Sequence, residues 1–229
     1  MTTSPFQRAH SEEQRALRRK TILDTAAAML TDTPVSRVTL NELSRRVGLA
    51  KSNVLRYFES REDVLLHLLA EAFDAWLAAL TPQLRDWPDG LPLTERTARL
   101  AEALAQSLAA RPVLCDLIAS QAAVLEHNVS PDIAARFKRA AVADVGVLAG
   151  LVRACVPELD EPGSWQFAGT AVMLTGAIWT HSRPSEAMLS AYAADPELAS
   201  LRLDFTMALR DTLRTLLTGH LAQARSGDG

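Results

Sequence analysis

Cysteine is scarce in this chain of 229 residues: only Cys115 and Cys155 are present, and both stand in apolar helical surroundings. Two such cysteines build neither a disulfide framework nor a Cys-x-x-Cys metal-binding signature. Aromatic residues are also few, at 5%, against 48% hydrophobic residues in all. The chain can therefore bury a substantial aliphatic core, as one large domain or two smaller ones, and we expect it in the reducing cytoplasm.

Neither a membrane anchor nor a signal peptide is indicated. The longest apolar run without charge, residues 167–180, is shorter than the ~20 residues that a membrane-spanning helix needs. Residues 1–10 lack the apolar core of a signal peptide. These features predict a cytoplasmic location and no membrane partner.

Enzyme signatures are missing as well. The sequence contains no HExxH, GxSxG or glycine-rich phosphate loop. The five histidines are widely spaced along the chain, at His10, His67, His127, His181 and His220. We therefore expect no catalytic site, no bound metal and no cofactor.

Strand patterns are absent too. No segment sustains an alternation of apolar and polar residues, and no Asn-Gly hairpin turn occurs. Apolar residues instead recur at helical spacing, for example at Ile133, Phe137 and Ala141, and prolines separate these stretches. The sequence predicts an all-α fold.

Residues 39–58 show the pattern of two short helices joined by a tight turn. Thr39 and Glu42 form an S/T-x-x-E capping box, which predicts a helix start at Thr39. An apolar stripe through Leu43 and Val47 follows, and Gly48 then suits the positive φ of a helix end. The segment is organised like a helix-turn-helix.

The second part of that pattern, residues 51–58, has an apolar face with Val54 and Phe58. Its polar face carries residue types that read base edges in the major groove or bind phosphates, and these are Lys51, Ser52, Asn53 and Arg56. One interpretation is therefore a DNA-binding module. The alternative is a helical protein-interaction module that has this shape but does not read DNA.

Charge is unevenly distributed around a net charge of −3. Residues 1–61 hold eleven Lys and Arg against six Asp and Glu, whereas the remainder holds thirteen against twenty-one. A basic N-terminal part suits a polyanionic partner, because neutralising phosphates supplies most of the affinity that does not depend on sequence. This asymmetry favours the DNA-binding interpretation.

Three stretches of the N-terminal part together resemble the TetR family of bacterial transcriptional regulators: RRKTILDTAAAML at 18–30, TLNELSRRVGLAKSNVLRYF at 39–58 and SREDVL at 60–65. The resemblance extends over residues 11–69. It implies an N-terminal three-helix DNA-binding domain, residues 11–60, and a larger C-terminal helical domain, residues 61–225, that binds a ligand and dimerises. The implied function is that of a repressor released from its operator by a small molecule.

The resemblance also implies which residues contact double-stranded DNA. Family positions that contact DNA are occupied by Thr39, Ser52, Asn53 and Tyr57, and Arg61 stands where relatives have a phosphate-binding lysine. Two positions depart from the family pattern, because Leu55 replaces a common aromatic residue and Glu59 a common basic one. The full set of predicted DNA-binding residues is Thr39, Lys51, Ser52, Asn53, Leu55, Arg56, Tyr57 and Arg61.

The last two long helical segments, predicted at residues 164–182 and 196–224, carry more apolar surface than one packing face uses. The surplus fits a subunit interface, or else a second face of the monomer core. In TetR-like regulators the last two helices pair with their copies in a second chain. The resemblance thus implies a homodimer that presents two recognition helices to a palindromic operator, with half-sites ~34–36 Å apart or at multiples of that distance.

A small-molecule pocket in the larger domain is implied by the same resemblance. Apolar pockets with few polar groups favour hydrophobic ligands. Residue type and position identify seven candidates, each of which also fits an ordinary core role: Trp87, Cys115, Phe137, Trp165, Met173, Trp179 and His181.

Overall fold

The computed structural model describes residues 5–85, 87 and 90–227, and within these ranges every regular element is a helix. The predicted all-α fold is confirmed for this part of the chain. The helices are α1 Pro5–Leu30, α2 Leu40–Val47, α3 Lys51–Val54, α4 Arg61–Arg85, α5 Leu93–Ala109, α6 Pro112–Ser120, α7 Pro131–Cys155, α8 Glu161–His181, α9 Glu186–Ala194, α10 Pro196–Ala199 and α11 Phe205–Gly227. A short 3₁₀ helix, Val35–Arg37, precedes α2, and a π-helical turn, Gln121–Leu125, follows α6.

The chain divides into two compact units. The N-terminal unit contains residues up to Ala70 together with Ser120–Phe137, and the larger unit contains Glu71–Ala119 together with the residues from Lys138 onward. The division therefore falls inside α4 and inside α7. The functional boundary that we predict between residues 60 and 61 stays a prediction.

In the N-terminal unit, local capping chemistry sets the bounds of α2. The Thr39 hydroxyl accepts a hydrogen bond from the Glu42 backbone N–H at 3.2 Å, so half of the predicted capping box is present. The Glu42 carboxylate does not complete the box, because it binds Arg45 and Arg46 instead. Gly48 ends the helix with a φ of +72°, in the left-handed region.

The next helix, α3, is shorter than the segment predicted at 51–58. It ends at Val54, after which a turn follows in which the Tyr57 and Phe58 N–H groups both donate to the Val54 carbonyl. Val54 and Phe58 are buried as predicted. They join an aliphatic core to which α1, α2 and α4 contribute Ile22, Ala26, Met29, Leu43 and Leu65.

The larger unit is a helical bundle in which α11 packs against α5 and α8. Burying each leucine of this core is worth about 1.5–3 kcal/mol. The fully buried side chains include Trp76, Leu80, Leu100, Leu104, Leu117, Phe167, Leu209 and Leu213. One buried polar contact, from Trp76 Nε1 to Ser107 Oγ at 3.0 Å, ties α4 to α5.

The prediction of one final helix over residues 196–224 is wrong at its start. Asp195 caps the four-residue α10, and Asp204 accepts a hydrogen bond from the Met207 N–H at the start of a separate α11. Each aspartate starts a helix of its own, and residues 200–204 lie between them outside regular helix. The sequence analysis also missed α9, which Ser185 caps through the Met188 N–H.

By length and composition alone, α4 is apolar enough to cross a membrane, and so is the strongly bent pair formed by α5 and the α6 segment. Half of the most apolar stretch of α4 is buried among other helices. Since the core helix of a water-soluble protein meets the same criterion, this property is weak evidence for a membrane span.

Candidate nucleic-acid interface and ligand-binding residues

The polar face of α3 points outward. Lys51, Ser52 and Asn53 are exposed, while Val54, the next residue, is fully buried. Each turn of this short helix therefore places an apolar residue in the core and leaves the polar residues on the surface. The resulting face carries ammonium, hydroxyl and amide groups that match the donors and acceptors of base edges.

The residues that follow α3 extend this exposed face. Leu55 is 41% exposed, Arg56 is exposed and Tyr57 is half-buried. Thr39, at the start of α2, is exposed as well, although its hydroxyl serves as the helix cap. The structure thus brings together, on the surface of one unit, seven of the eight predicted DNA-binding residues.

Arg61 is the eighth, and the structure places it differently. Its guanidinium donates to the Val35 carbonyl and to Glu62, at 3.0 Å for the latter, and its Nε is buried without a partner among the described residues. These contacts hold Arg61 inside the N-terminal unit. The phosphate contact carried over from the family lysine does not fit this geometry.

Arg19 of α1 holds the end of the recognition segment, a role that the sequence analysis missed. Its guanidinium donates to the Tyr57 carbonyl and lies 4.2 Å from the ring centre of Phe58. A second guanidinium nitrogen is 3.0 Å from His67 Nε2. The available signal was helical spacing, because Arg19 precedes the buried Ile22 by three positions and so lies on the inward face of α1.

The first turn of α4 carries a buried carboxylate. Asp63 accepts a hydrogen bond from the Glu59 N–H at 3.0 Å, and its second oxygen lies 3.1 Å from His67 Nδ1 and 3.6 Å from Arg136. Burial by itself raises the pKa of Asp63, but the hydrogen bonds from His67 and Glu59 and the charge of Arg136 outweigh it and lower the pKa. The ionised carboxylate therefore braces α4 beside the recognition segment.

The seven predicted ligand-binding residues do not line one cavity. Phe137 belongs to the N-terminal unit, whereas the other six belong to the larger one. Met173 is 68% exposed, Trp165 is 38% exposed and His181 is also on the surface. Trp87 is half-buried in a loop.

Cys115 is a buried core residue. Its thiol donates to the Leu108 carbonyl, with sulfur and oxygen 3.3 Å apart. Burial raises the pKa of Cys115 to about 12 and that of Cys155 to about 11, so both thiols stay protonated at neutral pH. Among the described residues no cluster of His, Cys, Asp or Glu is arranged to hold a metal ion.

An enclosed apolar cavity of about 10 Å³ does exist in the larger unit. Its volume is close to the space that one water molecule needs. Its lining comes from α4 to α8 and α11, and consists of Trp76, Leu104, Leu108, Ile118, Leu148, Ala171, Val172, Thr175 and Leu213. None of the seven predicted residues contributes to it, because α8 turns Ala171 and Thr175 inward rather than Met173.

Trp179 lines a separate, open groove of about 350 Å³ at the end of α8. The Arg183 guanidinium lies 4.1 Å from its ring centre, and the Phe205 ring meets it edge-on at 5.0 Å. The remaining lining residues are Ser182, Arg202, Leu203 and Asp204.

Two family profiles match the sequence. Residues 22–68 match the profile of bacterial regulatory proteins, tetR family, and residues 70–224 match the profile of the tetracyclin repressor-like C-terminal domain. Together the two matches cover most of the chain and follow each other in the order expected for one regulator. No curated protein matches the chain.

Solved structures share the fold. A TetR transcriptional regulator from Rhodococcus sp. RHA1 is 19% identical, with a TM-score of 0.53 and 90% of this chain and 97% of that chain covered. The fatty acid degradation regulator FadR from Bacillus halodurans is 16% identical, with a TM-score of 0.53 and coverages of 96% and 97%. FadR from Bacillus subtilis in complex with stearoyl-CoA is 15% identical, with a TM-score of 0.53 and coverages of 86% and 96%.

At these identities the solved structures support the fold alone. Family membership rests on the two profile matches, which extend over both the DNA-binding and the C-terminal region of the chain. The chain therefore belongs to the TetR family of bacterial transcriptional regulators.

Proposed function

We propose that this regulator is a homodimeric repressor that binds a palindromic operator through α3 and leaves it when a small hydrophobic molecule binds the larger unit. The observation that carries the DNA-binding half is the exposure of Lys51, Ser52 and Asn53 on a helix whose next residue, Val54, is fully buried. Burial of Val54 fixes which face of α3 meets the groove.

The side chains on that face have distinct chemistry. Asn53 is of the type that pairs with adenine through two hydrogen bonds, and Lys51 and Arg56 are of the types that bind guanine or phosphate. Leu55 offers an apolar contact of the kind that thymine methyl groups accept. Each well-placed pair of hydrogen bonds to a base contributes about 1–3 kcal/mol of discrimination against the wrong base.

Dimerisation through α8 and α11 is supported by the outward face of α8. Between Glu161 and His181 this helix has no charged residue, and Met173 on its outer side is 68% exposed. Gly169 lies on the same side, and a Cβ added there meets no atom within 4 Å. An uncharged exposed surface of this kind suits a symmetric helix-to-helix contact with a second copy.

On α11, Met207 is 55% exposed and Gly219 and Ala222 lie on the outer side. We therefore place the interface on residues 161–181 and 205–227, instead of the predicted second range 196–224.

Effector binding is supported by the apolar lining of the enclosed cavity. A volume of about 10 Å³ admits no organic molecule, so a ligand must bind a more open state of the larger unit. Only a ligand that prefers that state over the DNA-binding state releases the operator. Because the related FadR fold from Bacillus subtilis holds stearoyl-CoA, acyl chains are the first ligands to test.

Selection of bound fragments from random double-stranded DNA tests the DNA-binding half. We expect enrichment of a palindrome and a large loss of affinity for it in Lys51→Ala and Asn53→Ala. Arg99→Ala, which removes an exposed charge from α5 in the larger unit, is the matched control and should bind normally. Failure to enrich any sequence, or unchanged affinity in both α3 variants, contradicts the proposal.

The sensor half needs a separate experiment. A panel of free fatty acids, acyl-CoA thioesters and aromatic compounds is screened for a rise in thermal midpoint and for release of the selected palindrome. A supporting compound does both, since the ligand must favour the state that does not bind DNA. If every compound leaves both the midpoint and the operator complex unchanged, the ligand-released mechanism is wrong for these classes.

A further inference from the structure

A cleft lies between α1 and the residues that follow α3 in the N-terminal unit. It encloses about 620 Å³ and is open to the surface. One wall is a face of α1, and the other is formed by Arg56 and Tyr57. Its lining residues are Gln14, Arg15, Leu17, Arg18, Thr21, Arg56 and Tyr57.

Three arginines converge on this cleft. Arg15 and Arg18 are three positions apart on α1, which places them on one side of the helix, and Arg56 faces them from the recognition segment. All three are exposed, and within the described part of the chain none of them forms an ion pair. No carboxylate lines the cleft, although Glu12 and Glu13 lie just before it on α1.

Other cations of the same unit are paired. Lys20 lies 2.8 Å from Asp24, and Arg45 and Arg46 share Glu42. The unpaired positive charge of the described N-terminal unit is thus concentrated in the cleft and beside it on α3. Concentrated, unpaired guanidinium groups attract phosphate, to which they donate two parallel hydrogen bonds.

The two walls of the cleft are fastened to each other. Arg19, next to Arg18 on α1, donates to the Tyr57 carbonyl and packs over the Phe58 ring. A site whose walls are already joined loses little conformational entropy when a ligand enters. The cleft is therefore preorganised in the absence of DNA.

The α1 wall also lies outside the conserved family match. The tetR-family profile begins at residue 22, whereas the cleft residues of α1 lie between residues 14 and 21. Nothing in the family assignment gives these residues a role.

We propose that this cleft binds the sugar-phosphate backbone of the operator, flanking the groove that α3 enters. Arg15 and Arg18 bind phosphate oxygens, and Leu17, which is 67% exposed between them, packs against deoxyribose. The inference rests on the proposed DNA-binding function and adds a second contact surface to it. Such contacts set affinity and register and carry no base sequence information.

Phosphate-ethylation interference on the selected palindrome tests the cleft directly. With the wild-type protein, ethylation should interfere at one or two phosphates per half-site that flank the base-contact region. Arg15→Ala/Arg18→Ala should abolish interference at those phosphates alone. The slope of log Kobs against log salt should become shallower by about 1.8, at about 0.9 for each lost phosphate contact, with the preferred sequence unchanged.

Lys20→Ala is the matched control, because it removes one positive charge from the same helix at a residue paired with Asp24. It should keep the interference pattern. A second matched pair is Leu17→Glu against Leu17→Gln: the carboxylate should weaken binding at least tenfold more than the amide. Circular dichroism melting of each variant establishes that the exposed substitutions leave the fold intact.

The outcomes separate this inference from the function on which it rests. If Lys51→Ala weakens operator binding while Arg15→Ala/Arg18→Ala keeps the wild-type slope and interference pattern, the cleft proposal is wrong and the repressor proposal stands. The cleft proposal is also wrong if Lys20→Ala changes the slope as much as a single Arg15→Ala. If the wild-type protein selects no DNA, both proposals fail together.

Discussion

Gly48 shows how a single residue sets the helix-turn-helix. Its φ of +72° lies in the left-handed region, and a Cβ added there meets no atom within 4 Å. The requirement for glycine is therefore conformational and owes nothing to crowding. Left-handed backbone strains most residues with a Cβ by about 1 kcal/mol.

Gly48→Ala should accordingly destabilise the N-terminal unit by about 1 kcal/mol. Gly150→Ala is the matched control, since Gly150 lies within α7 at a site with equal space and ordinary helical φ. There alanine should stabilise by about 0.5–1 kcal/mol. Urea unfolding monitored by circular dichroism measures both, and a loss of equal size in the two variants contradicts the conformational explanation.

Asp144 on α7 is a second residue whose environment makes a measurable prediction. Burial, together with repulsion from Asp74 on α4 and a hydrogen bond between the two carboxyls, raises the pKa of Asp144 to about 6. The folded state thus holds a proton that the unfolded chain releases at lower pH. Stability should fall as the pH rises from about 4 through 6, because the unfolded state then binds fewer protons.

Asp144→Asn should remove this loss and keep a hydrogen-bond donor towards Asp74. After a discount for solvent screening of a half-exposed group, we expect a gain of about 1 kcal/mol at pH 7. The gain should shrink as the pH falls below 6 and vanish near 4. Urea titrations at pH 4, 5.5 and 7 measure it, with Glu71→Gln as an exposed control on α4; a gain independent of pH rules out this cause.

Among the helices, α4 and α5 depend on one buried hydrogen bond. Trp76 is 2% exposed, and its Nε1 donates to Ser107, which is 8% exposed and itself donates to the Leu104 carbonyl. A donor left without a partner at such a site costs about 1–3 kcal/mol. This contact joins two helices that contribute side chains to the lining of the enclosed cavity.

Ser107→Ala should therefore destabilise the larger unit by about 1–3 kcal/mol. Ser164→Ala is the matched control, because that buried hydroxyl donates only to a carbonyl of its own helix, at Glu161. Its loss should cost less than half as much. Thermal unfolding followed by Trp fluorescence compares the two, and equal losses argue against a specific role for the Trp76 partner.

The helices also differ in how far their sequences foretell them. Thr39, Gly48 and Ser60 act through bonds to backbone groups within four residues, and the predicted helix ends near them agree with the structure. The start of α11 was mispredicted because Leu198 and Leu201 continue the helical apolar spacing. Only the Asp204 cap, followed by docking of Phe205 into the core, starts the helix later.

For the whole molecule, the decisive quantity is the number of subunits. Met173 is 68% exposed on α8, so a charged side chain there is tolerated by an isolated subunit. In a homodimer formed through α8 and α11, the same charge is buried against a second copy and has no partner.

Met173→Glu should therefore convert a dimer into a folded monomer with much weaker operator binding, since one recognition helix is lost from each complex. Val142→Glu, at a residue that is 57% exposed on α7 outside the proposed interface, should remain a dimer. Sedimentation velocity and circular dichroism measure mass and fold together. A wild-type monomer, or a dimeric Met173→Glu protein, contradicts the proposed interface.

The amino-acid sequence by itself determined the all-α fold, the turn at Gly48 and the outward polar face of α3. These features follow from capping, backbone preference and apolar spacing, which act between residues close together in the chain. Tertiary structure alone decided that Arg61 turns inward and that Arg19 fastens α1 to Tyr57. It also decided which side of α8 faces the core, because a helix apolar on every side is rotated into place only by the neighbours that pack against it.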